Sequence, residues 1–229
     1  MRTSRYFSPA LFRFLRELKR NNNREWFAAN QGRYQSEVRD PLLRFVSDFA
    51  PHLRQISRHF VADSRPVGSS LFRIYRDTRF SPDKRPFKTW AAAQFRHERG
   101  RDVHAPGFYL HLEPGEVFAA AGIWRPDSDT LAKIRDAIVA HPRSWKRAVS
   151  GKEFKALCAL GGDSLERPPR GYDPEHPLLE DLKRKDFVCW TDFNQAQAGA
   201  PDFLTRFTAA GRAAAPFMEF LTRAVNLDW

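Results

Sequence analysis

Apolar residues recur every three to four positions through the first sixty residues, which is the spacing of one face of an α-helix. The pattern begins after Ser8 and Pro9, which have the form of an N-cap and a first helical residue. Asn22 and Glu25 have the form of a capping box that begins a second helix. Because the same period continues beyond two interrupting prolines, we expect residues 1–62 to be helical.

The middle of the chain changes from a helical period to alternation. Residues 71–77 predict a half-buried strand with one charged face, and residues 107–113 and 117–124 predict two more strands joined at Pro114-Gly115. If these two residues form the loop, opposed residues share one side of the sheet. The expected pairs are Leu112 with Val117, Leu110 with Ala119, Phe108 with Ala121, His111 with Phe118, Tyr109 with Ala120 and Glu113 with Glu116. A longer, bulged loop would shift this register.

Helical spacing returns after this hairpin. The remaining predicted elements are a helix capped by Asp127 or Ser128 that ends before Pro142, a helix at 152–160, a Pro-rich and Gly-rich loop at 161–177, a short helix at 178–184, a strand at 187–192 and a helix at 201–225 kinked near Pro216.

These elements predict one α+β domain spanning residues 1–229, with a mainly antiparallel sheet and the N- and C-terminal helices packed on it. The sheet and a basic loop occupy residues 63–126. Helices, the Pro-rich loop and the C-terminal helix occupy residues 127–229.

The composition supports a large core. The 229 residues are 42% hydrophobic and 14% aromatic, which excludes a disordered, collagen-like or coiled-coil chain. No apolar run approaches the roughly 20 residues that a membrane span needs, and no leader is evident, so we expect a cytoplasmic protein without a membrane partner. The two cysteines, Cys158 and Cys189, form no CxxC motif, and we expect reduced core or half-buried thiols.

Positive charge is concentrated in one part of the chain. The net charge is +11, and ten Lys and Arg residues against four acids lie between residues 65 and 104. Arginine presents a rigid fork of donors that suits phosphate or carboxylate. We therefore expect an anion site in residues 73–89, here called the basic segment, with Phe80 and Phe87 anchoring it to the body. Its candidate ligands are Arg73, Arg76, Arg79, Lys84 and Lys88.

A simpler interpretation of the basic segment stays open. Asp77 and Asp83 could pair with the neighbouring cations on a solvated loop, as charged surface loops commonly do. The aromatic and proline residues between the charges favour fixed positions for the cations instead.

Tyr109, His111 and Glu113 share one face of a predicted strand. Histidine titrates near neutrality and Glu113 would orient it, so the three are candidate catalytic groups, with space above the sheet left by Ala120 and Gly122. A metal site is the alternative, but no third ligand is specified, since Glu116 lies only nominally opposite Glu113. We therefore expect no cofactor, and no tightly held transition metal required for folding.

The loop at 170–177 supplies further candidates. Asp173 and His176 are candidate catalytic residues and Arg170 a candidate anion ligand, if the loop covers a site. It is equally consistent with the sequence that Asp173 caps a turn and His176 simply precedes Pro177. The GxGxxG, GxxxxGK[ST], GxSxG and HExxH motifs are absent, so the common nucleotide-binding, hydrolase and zinc-protease sites have no support.

Four segments together resemble one protein family over nearly the whole chain. They are NNNREWF at 21–27, RDTRFSPDKRPFKT at 76–89, GFYLHLEPGE at 107–116 and RGYDPEHP at 170–177. The chain is similar in these segments to domain of unknown function family 2461, found in bacteria and fungi. It departs from the family where Ala120 and Ala121 precede Gly122 instead of a run of glycines. The resemblance implies a single globular domain of unassigned activity and no known catalytic residue.

Three classes of function remain. The first is binding or conversion of a small anionic, phosphate- or carboxylate-bearing ligand, which the cation cluster and the polar strand face favour. The second is non-specific, weak association with nucleic acid, which the computed pI of about 10.1 allows although no reading motif is present. The third is an interaction scaffold. Whether the protein is an enzyme stays open.

Overall fold

The structure, a computed structural model, describes residues 6–65, 68, 70–100 and 105–229. Arg101 and Asp102, which belong to the basic region of the sequence, therefore lie outside the described residues. The helices are α1 Pro9–Arg20, α2 Arg24–Ala29, α3 Gln31–Arg33, α4 Asp40–Ile56, α5 Ser128–Ala140, α6 Pro142–Ser150, α7 Lys152–Leu157, α8 Leu179–Leu182, α9 Gln195–Ala198 and α10 Phe203–Ala224, with a π-helical turn at Tyr34–Arg39. The strands are β1 Ala91–Arg96, β2 Gly107–Glu113, β3 Glu116–Ile123, β4 Ala159–Gly161 and β5 Phe187–Phe193.

The fold is α+β, as the sequence predicts. The strands form one antiparallel sheet in the order β1-β2-β3-β5-β4. Every pair expected for the β2–β3 hairpin is present, from Phe108 opposite Ala121 to Glu113 opposite Glu116. Gly115 has a φ of +94° in the turn, a conformation that glycine adopts without strain. The two-residue loop therefore forms, and no bulge shifts the register.

Helices occupy most of residues 9–56, but the prediction of helix through residue 62 is wrong beyond Ile56, because Phe60 pairs with His97 in an isolated bridge. The capping also differs from the expectation, since Ser8 precedes α1 without a side-chain cap bond. Asn23 is the N-cap of α2, and its side chain accepts a hydrogen bond from Trp26 N at 2.9 Å. Asn22, the expected cap, instead donates Nδ2 to Phe87 O and accepts from Phe87 N, both at 3.0 Å. A side-chain amide pairs with a peptide unit in this way because it carries the same donor and acceptor. This pairing ties the start of α2 to the basic segment.

The prediction of a strand at 71–77 is wrong, and β1 was not predicted. The predicted helix at 152–160 ends at Leu157, and the unpredicted strand β4 follows it at Ala159–Gly161. Leu71 pairs with Ala93 of β1, whereas Tyr75 pairs with Phe87, and both are isolated bridges. The segment changes partner between these two points, so no continuous ladder forms despite the alternating side chains. β1, with the sequence AAAQFR, lacks the β-branched residues and regular alternation that indicate a strand.

The helical layer covers one face of the sheet. Phe95 on β1 packs against Phe49 of α4 at 4.8 Å between ring centroids, and Phe49 packs against Phe207 of α10 at 4.9 Å. Phe108 and Leu110 of β2 are buried on this same face. The opposite face carries Tyr109, His111 and Glu113, since alternate residues of a strand point to opposite sides. The polar groups singled out in the sequence thus face away from the helices.

A tight joint connects β3 and β5 at the end of the sheet away from the hairpin turn. Gly122 has a φ of +137°, and a Cβ atom there would lie 2.1 Å from Phe187 O. The expectation that Gly122 leaves room for a ligand is therefore wrong, because β5 occupies that space. Beside it, Asp186 accepts hydrogen bonds from Arg125 N at 2.7 Å and Asp163 N at 3.0 Å.

The two cysteines lie where the sequence places them, with Cys189 buried and Cys158 half-buried. Among the helices of the described ranges, none combines the length and the apolar character needed to cross a bilayer.

Candidate functional site

The polar face of β2 forms a connected set of side chains. Tyr109 Oη and His111 Nδ1 are joined by a hydrogen bond of 3.0 Å, and His111 Nε2 lies 3.5 Å from Glu113 Oε2. This follows from their spacing of two residues on one strand, which points all three side chains to the same side. The structure therefore brings together the three candidate catalytic groups of this strand.

Aromatic rings enclose the imidazole of His111. Phe118, its cross-strand neighbour on β3, stacks on it at 4.8 Å between ring centroids, and Trp90 lies at 5.4 Å. Burial lowers the pKa of His111, and the two nearby glutamates oppose that shift. Burial likewise raises the pKa of Tyr109. Both shifts favour the neutral forms of these two side chains.

The carboxylates of Glu113 and Glu116 meet at the end of the hairpin. They are directly opposed across β2 and β3, and side-chain ligand atoms of His111, Glu113 and Glu116 all lie within 4.8 Å of one another. Glu113 accepts a hydrogen bond of 3.4 Å from Thr89 Oγ1 and lies 3.9 Å from Lys19 Nζ. Glu116, which the sequence left as a nominal neighbour, thus completes a three-residue cluster that could hold a metal ion.

The basic segment folds into a short ribbon with a loop at its tip. Arg76 N donates to Pro86 O at 2.9 Å and Lys88 N donates to Ile74 O at 2.8 Å. These bonds flank the bridge between Tyr75 and Phe87. Residues 77–85 form the loop, so the cations of the segment are divided between the ribbon and its tip.

Most cations of the tip have partners within the segment. Arg79 forms an ion pair with Asp77 at 2.7 Å, and Asp83 pairs with both Arg76 and Arg85. The guanidinium of Arg79 lowers the pKa of Asp77 to about 2, and those of Arg85 and Arg76 hold the pKa of Asp83 well below its usual range. Lys84 Nζ donates to Thr78 O at 3.0 Å. The local pairing left open in the sequence analysis therefore exists.

Lys88 lies apart from this loop, beside the polar face of β2. Its ammonium donates to Arg73 O at 2.7 Å and lies 5.1 Å from the ring centroid of Trp90. Burial lowers its pKa, as do the neighbouring charges of Arg73 and Arg76. Because Trp90 also contacts His111, the end of the basic segment borders the histidine face, while Arg79 and Lys84 do not.

Of the two aromatic residues expected to anchor the basic segment, Phe87 does so and Phe80 does not. Phe87 is only 2% exposed and stacks on Phe27 at 4.2 Å between centroids, so it holds the ribbon against α2. Phe80 is 93% exposed and contacts only Arg79 at 5.8 Å among the ring interactions of the described residues. The difference arises because Phe87 lies in the paired ribbon, whereas Phe80 lies in the loop beyond it.

A cleft of about 310 Å³ separates the ribbon from α2 and α3. Arg76 and Arg24 both line it, together with the exposed ring of Tyr75. The remaining lining residues are Phe27, Ala28, Gln31, Thr78, Pro86 and Phe87. Sequence reasoning missed Arg24, because nothing in the local pattern connects the start of α2 with the distant basic segment.

The candidates in the Pro-rich loop make local contacts. Asp173 Oδ1 accepts from Glu175 N at 2.9 Å and His176 Nδ1 accepts from Leu178 N at 3.1 Å. Tyr172 Oη donates to Asp136 Oδ1 of α5 at 2.8 Å. Arg170 is exposed. The loop leads to α8 and to the Phe187 end of β5. That end lies about 20 Å, the length of the strand, from the hairpin turn. The structure therefore does not bring these residues to His111.

Comparison with known proteins gives one positive result. A family model described as a conserved hypothetical protein (DUF2461) matches residues 10–220. Searches of curated proteins and of solved structures find no significant match. The matched range includes the ribbon, the cleft, the polar face of β2 and the Pro-rich loop, and on this near-complete match the chain belongs to the DUF2461 family.

Proposed function

We propose that the protein binds a small anionic molecule in the cleft between α2 and the ribbon of the basic segment. The observation that carries the proposal is the presence of Arg24 and Arg76 in one concave site of about 310 Å³. This volume lies at the lower end of the range for small-molecule sites. Two guanidinium groups from different elements suit a phosphate or carboxylate, because each presents a planar fork of donors.

The charges around the cleft leave positive potential for a ligand. Asp83 is shared between Arg76 and Arg85, so a single carboxylate faces two guanidinium groups. Arg24 is exposed, and no carboxylate of the described ranges lies within 4 Å of it. A bound anion would reduce the repulsion among these cations, while Asp83 holds Arg76 in position.

The aromatic lining indicates what else the ligand carries. Phe27 and Phe87 form an apolar floor, and Tyr75 presents a ring that is 58% exposed. A planar group stacks favourably on such a surface, whereas Thr78 and Gln31 offer hydrogen bonds at the same site. The ligand class that fits is an aryl phosphate, an aryl carboxylate or a nucleotide.

Thermal unfolding with added ligand tests the proposal. A ligand that binds only the folded state at a hundredfold excess over Kd adds about 2.7 kcal/mol, which for a chain of this size raises Tm by roughly 5–10 °C. We expect such a shift with at least one compound from a panel of aryl phosphates, aryl carboxylates and nucleotides at constant ionic strength. Arg24→Gln and Arg76→Gln should remove it.

A matched variant separates the cleft from general charge effects. Arg54→Gln removes one exposed cation of α4, away from the cleft, and should leave the ligand-induced shift unchanged. The proposal fails if no compound stabilises the protein more than chloride does. It also fails if the two cleft variants respond as the wild type does.

Association with nucleic acid is a second candidate, and the exposure of Phe80 favours it. The ring lies in the same loop as Arg79 and Lys84, with the Arg79 guanidinium 5.8 Å from it, and exposed aromatic rings among cations can stack with unpaired bases. Because each stacked base contributes about 1–3 kcal/mol, Phe80→Ser should weaken binding of a single-stranded oligonucleotide by about tenfold in fluorescence anisotropy.

The control for this candidate is Leu157→Ser, which removes an exposed apolar side chain elsewhere and should not change the affinity. Binding should also fall steeply with salt, since it depends on phosphate neutralisation. Equal affinities for wild type and the Phe80→Ser variant would exclude the loop tip as the contact.

A further inference from the structure

We propose that His111, Glu113 and Glu116 form a binding site for a divalent transition-metal ion such as Zn²⁺ or Mn²⁺. The site lies on the outer face of the β2–β3 hairpin, and it is independent of the anion-binding cleft. Two residues come from β2 and one from β3, so the sheet itself fixes the positions of all three.

The spacing of the three side chains suits a single ion. Ligand atoms of His111, Glu113 and Glu116 lie within 4.8 Å of one another. Nitrogen and oxygen ligands bind Zn²⁺ at about 2.0–2.2 Å in tetrahedral geometry, so two ligands of one ion lie about 3.3–3.6 Å apart. The side chain of Glu116 is exposed, so rotation about its bonds can shorten these distances.

The imidazole of His111 points an unused nitrogen into the cluster. The residue is 8% exposed, and its Nε2 atom, which lies 3.5 Å from Glu113 Oε2, has no hydrogen-bond partner among the described residues. Leaving a buried polar atom unpaired costs free energy, and native proteins rarely do so without a reason. A metal ion between Nε2 and the carboxylates would satisfy this atom.

The other ring nitrogen has an outer hydrogen-bond partner, as metal-bound histidines usually do. Nδ1 lies 3.0 Å from Tyr109 Oη, so Nδ1–H can donate to the tyrosine oxygen and leave the Nε2 lone pair toward the cluster. Outer partners of this kind orient the ring and fix its tautomer. Tyr109 is thus a positioning residue for the site.

The two carboxylates supply charge that a cation would balance. Glu113 and Glu116 are directly opposed across an antiparallel pair, an arrangement that is destabilising for like charges. Lys19 approaches Glu113 only to 3.9 Å, and no cation within the described part of the chain lies within 4 Å of Glu116. One imidazole with two carboxylates favours a first-row transition ion over Mg²⁺ or Ca²⁺, which prefer oxygen ligands alone.

Titration calorimetry on the chelator-treated full chain tests the site. We expect one equivalent of Zn²⁺ per chain, with Mg²⁺ and Ca²⁺ giving no comparable binding. Glu116→Gln should weaken Zn²⁺ binding by at least about 100-fold, because even an outer-shell change commonly costs about 10- to 100-fold. Tyr109→Phe should weaken it by about tenfold. Co²⁺ should give visible absorption bands that disappear in the His111→Gln variant.

The matched control is Glu98→Gln, because Glu98 pairs with His59 at 2.7 Å in a different part of the molecule. It should bind Zn²⁺ as the wild type does. Glu116 is exposed, so its variant is expected to stay folded even if the His111→Gln variant does not. The proposal is overturned if the wild type binds no Zn²⁺, if Glu116→Gln binds it unchanged, or if Mg²⁺ binds equally well.

Discussion

The Gly122→Ala variant is expected to lose at least about 3 kcal/mol of unfolding free energy. Its Cβ atom would lie 2.1 Å from Phe187 O and 2.8 Å from Val188 Cα, both backbone atoms of β5. Relief of this overlap requires β5 to move away from β3, which breaks ladder hydrogen bonds. The φ of +137° adds strain for any residue with a side chain.

Denaturant unfolding of the Gly122→Ala variant measures this loss. Gly32→Ala is the matched control, since its Cβ atom meets nothing within 4 Å and its backbone is helical. That variant should be neutral or more stable by up to about 1 kcal/mol. If both variants unfold at the same denaturant concentration as the wild type, the close contact between β3 and β5 is not present in solution.

The Asp186→Ala variant is expected to lose about 2–5 kcal/mol. Asp186 is 4% exposed, and its two carboxylate oxygens accept from Arg125 N and Asp163 N. Removal of the carboxylate leaves two backbone donors unpaired at this joint. Arg125 has a φ of 48°, which is unfavourable for a non-glycine residue, so the lost hydrogen bond also releases a strained turn.

A second aspartate provides the comparison for Asp186. Asp173 accepts one local hydrogen bond on an exposed loop, so Asp173→Ala should cost less than about 1 kcal/mol. The stability loss of Asp186→Asn should lie between those of Asp186→Ala and Asp173→Ala, because the amide keeps one acceptor oxygen and turns an NH₂ group toward the other donor. A loss for Asp186→Ala no larger than that for Asp173→Ala in the same unfolding experiment would contradict the role assigned to the carboxylate.

Gly122 and Asp186 lie at the opposite end of the sheet from the hairpin turn that carries Glu113 and Glu116. Their variants therefore test the fold separately from the proposed metal site. A stability loss at Gly122 or Asp186 would not bear on ligand binding, and a binding loss at Glu116 or Arg24 would not bear on the joint.

The candidate site was only partly accessible to sequence reasoning. Tyr109, His111 and Glu113 could be placed together, because strand spacing alone determines that their side chains share a face. The third member, Glu116, depended on the length of the turn. Arg24 could not be found at all, because its place in the cleft depends on how α2 packs against the ribbon.

The sequence by itself determined the features that rest on local interactions. The helical period located α1, α4 and α10, and the Pro114-Gly115 turn with its alternating neighbours predicted the register that β2 and β3 have, with a longer, bulged loop as the alternative. These follow from contacts between residues close in the chain, where side-chain spacing and turn geometry leave few alternatives.

Only the tertiary structure decided which distant segments meet. Residues 71–77 alternate like a strand, yet they pair first with β1 and then with the 86–88 side of the ribbon, because two different partners offer backbone groups in succession. Phe87 and Phe80 differ in burial for the same reason. The helix α2 covers Phe87, whereas solvent surrounds Phe80. Such choices depend on long-range packing, which no local pattern of residues encodes.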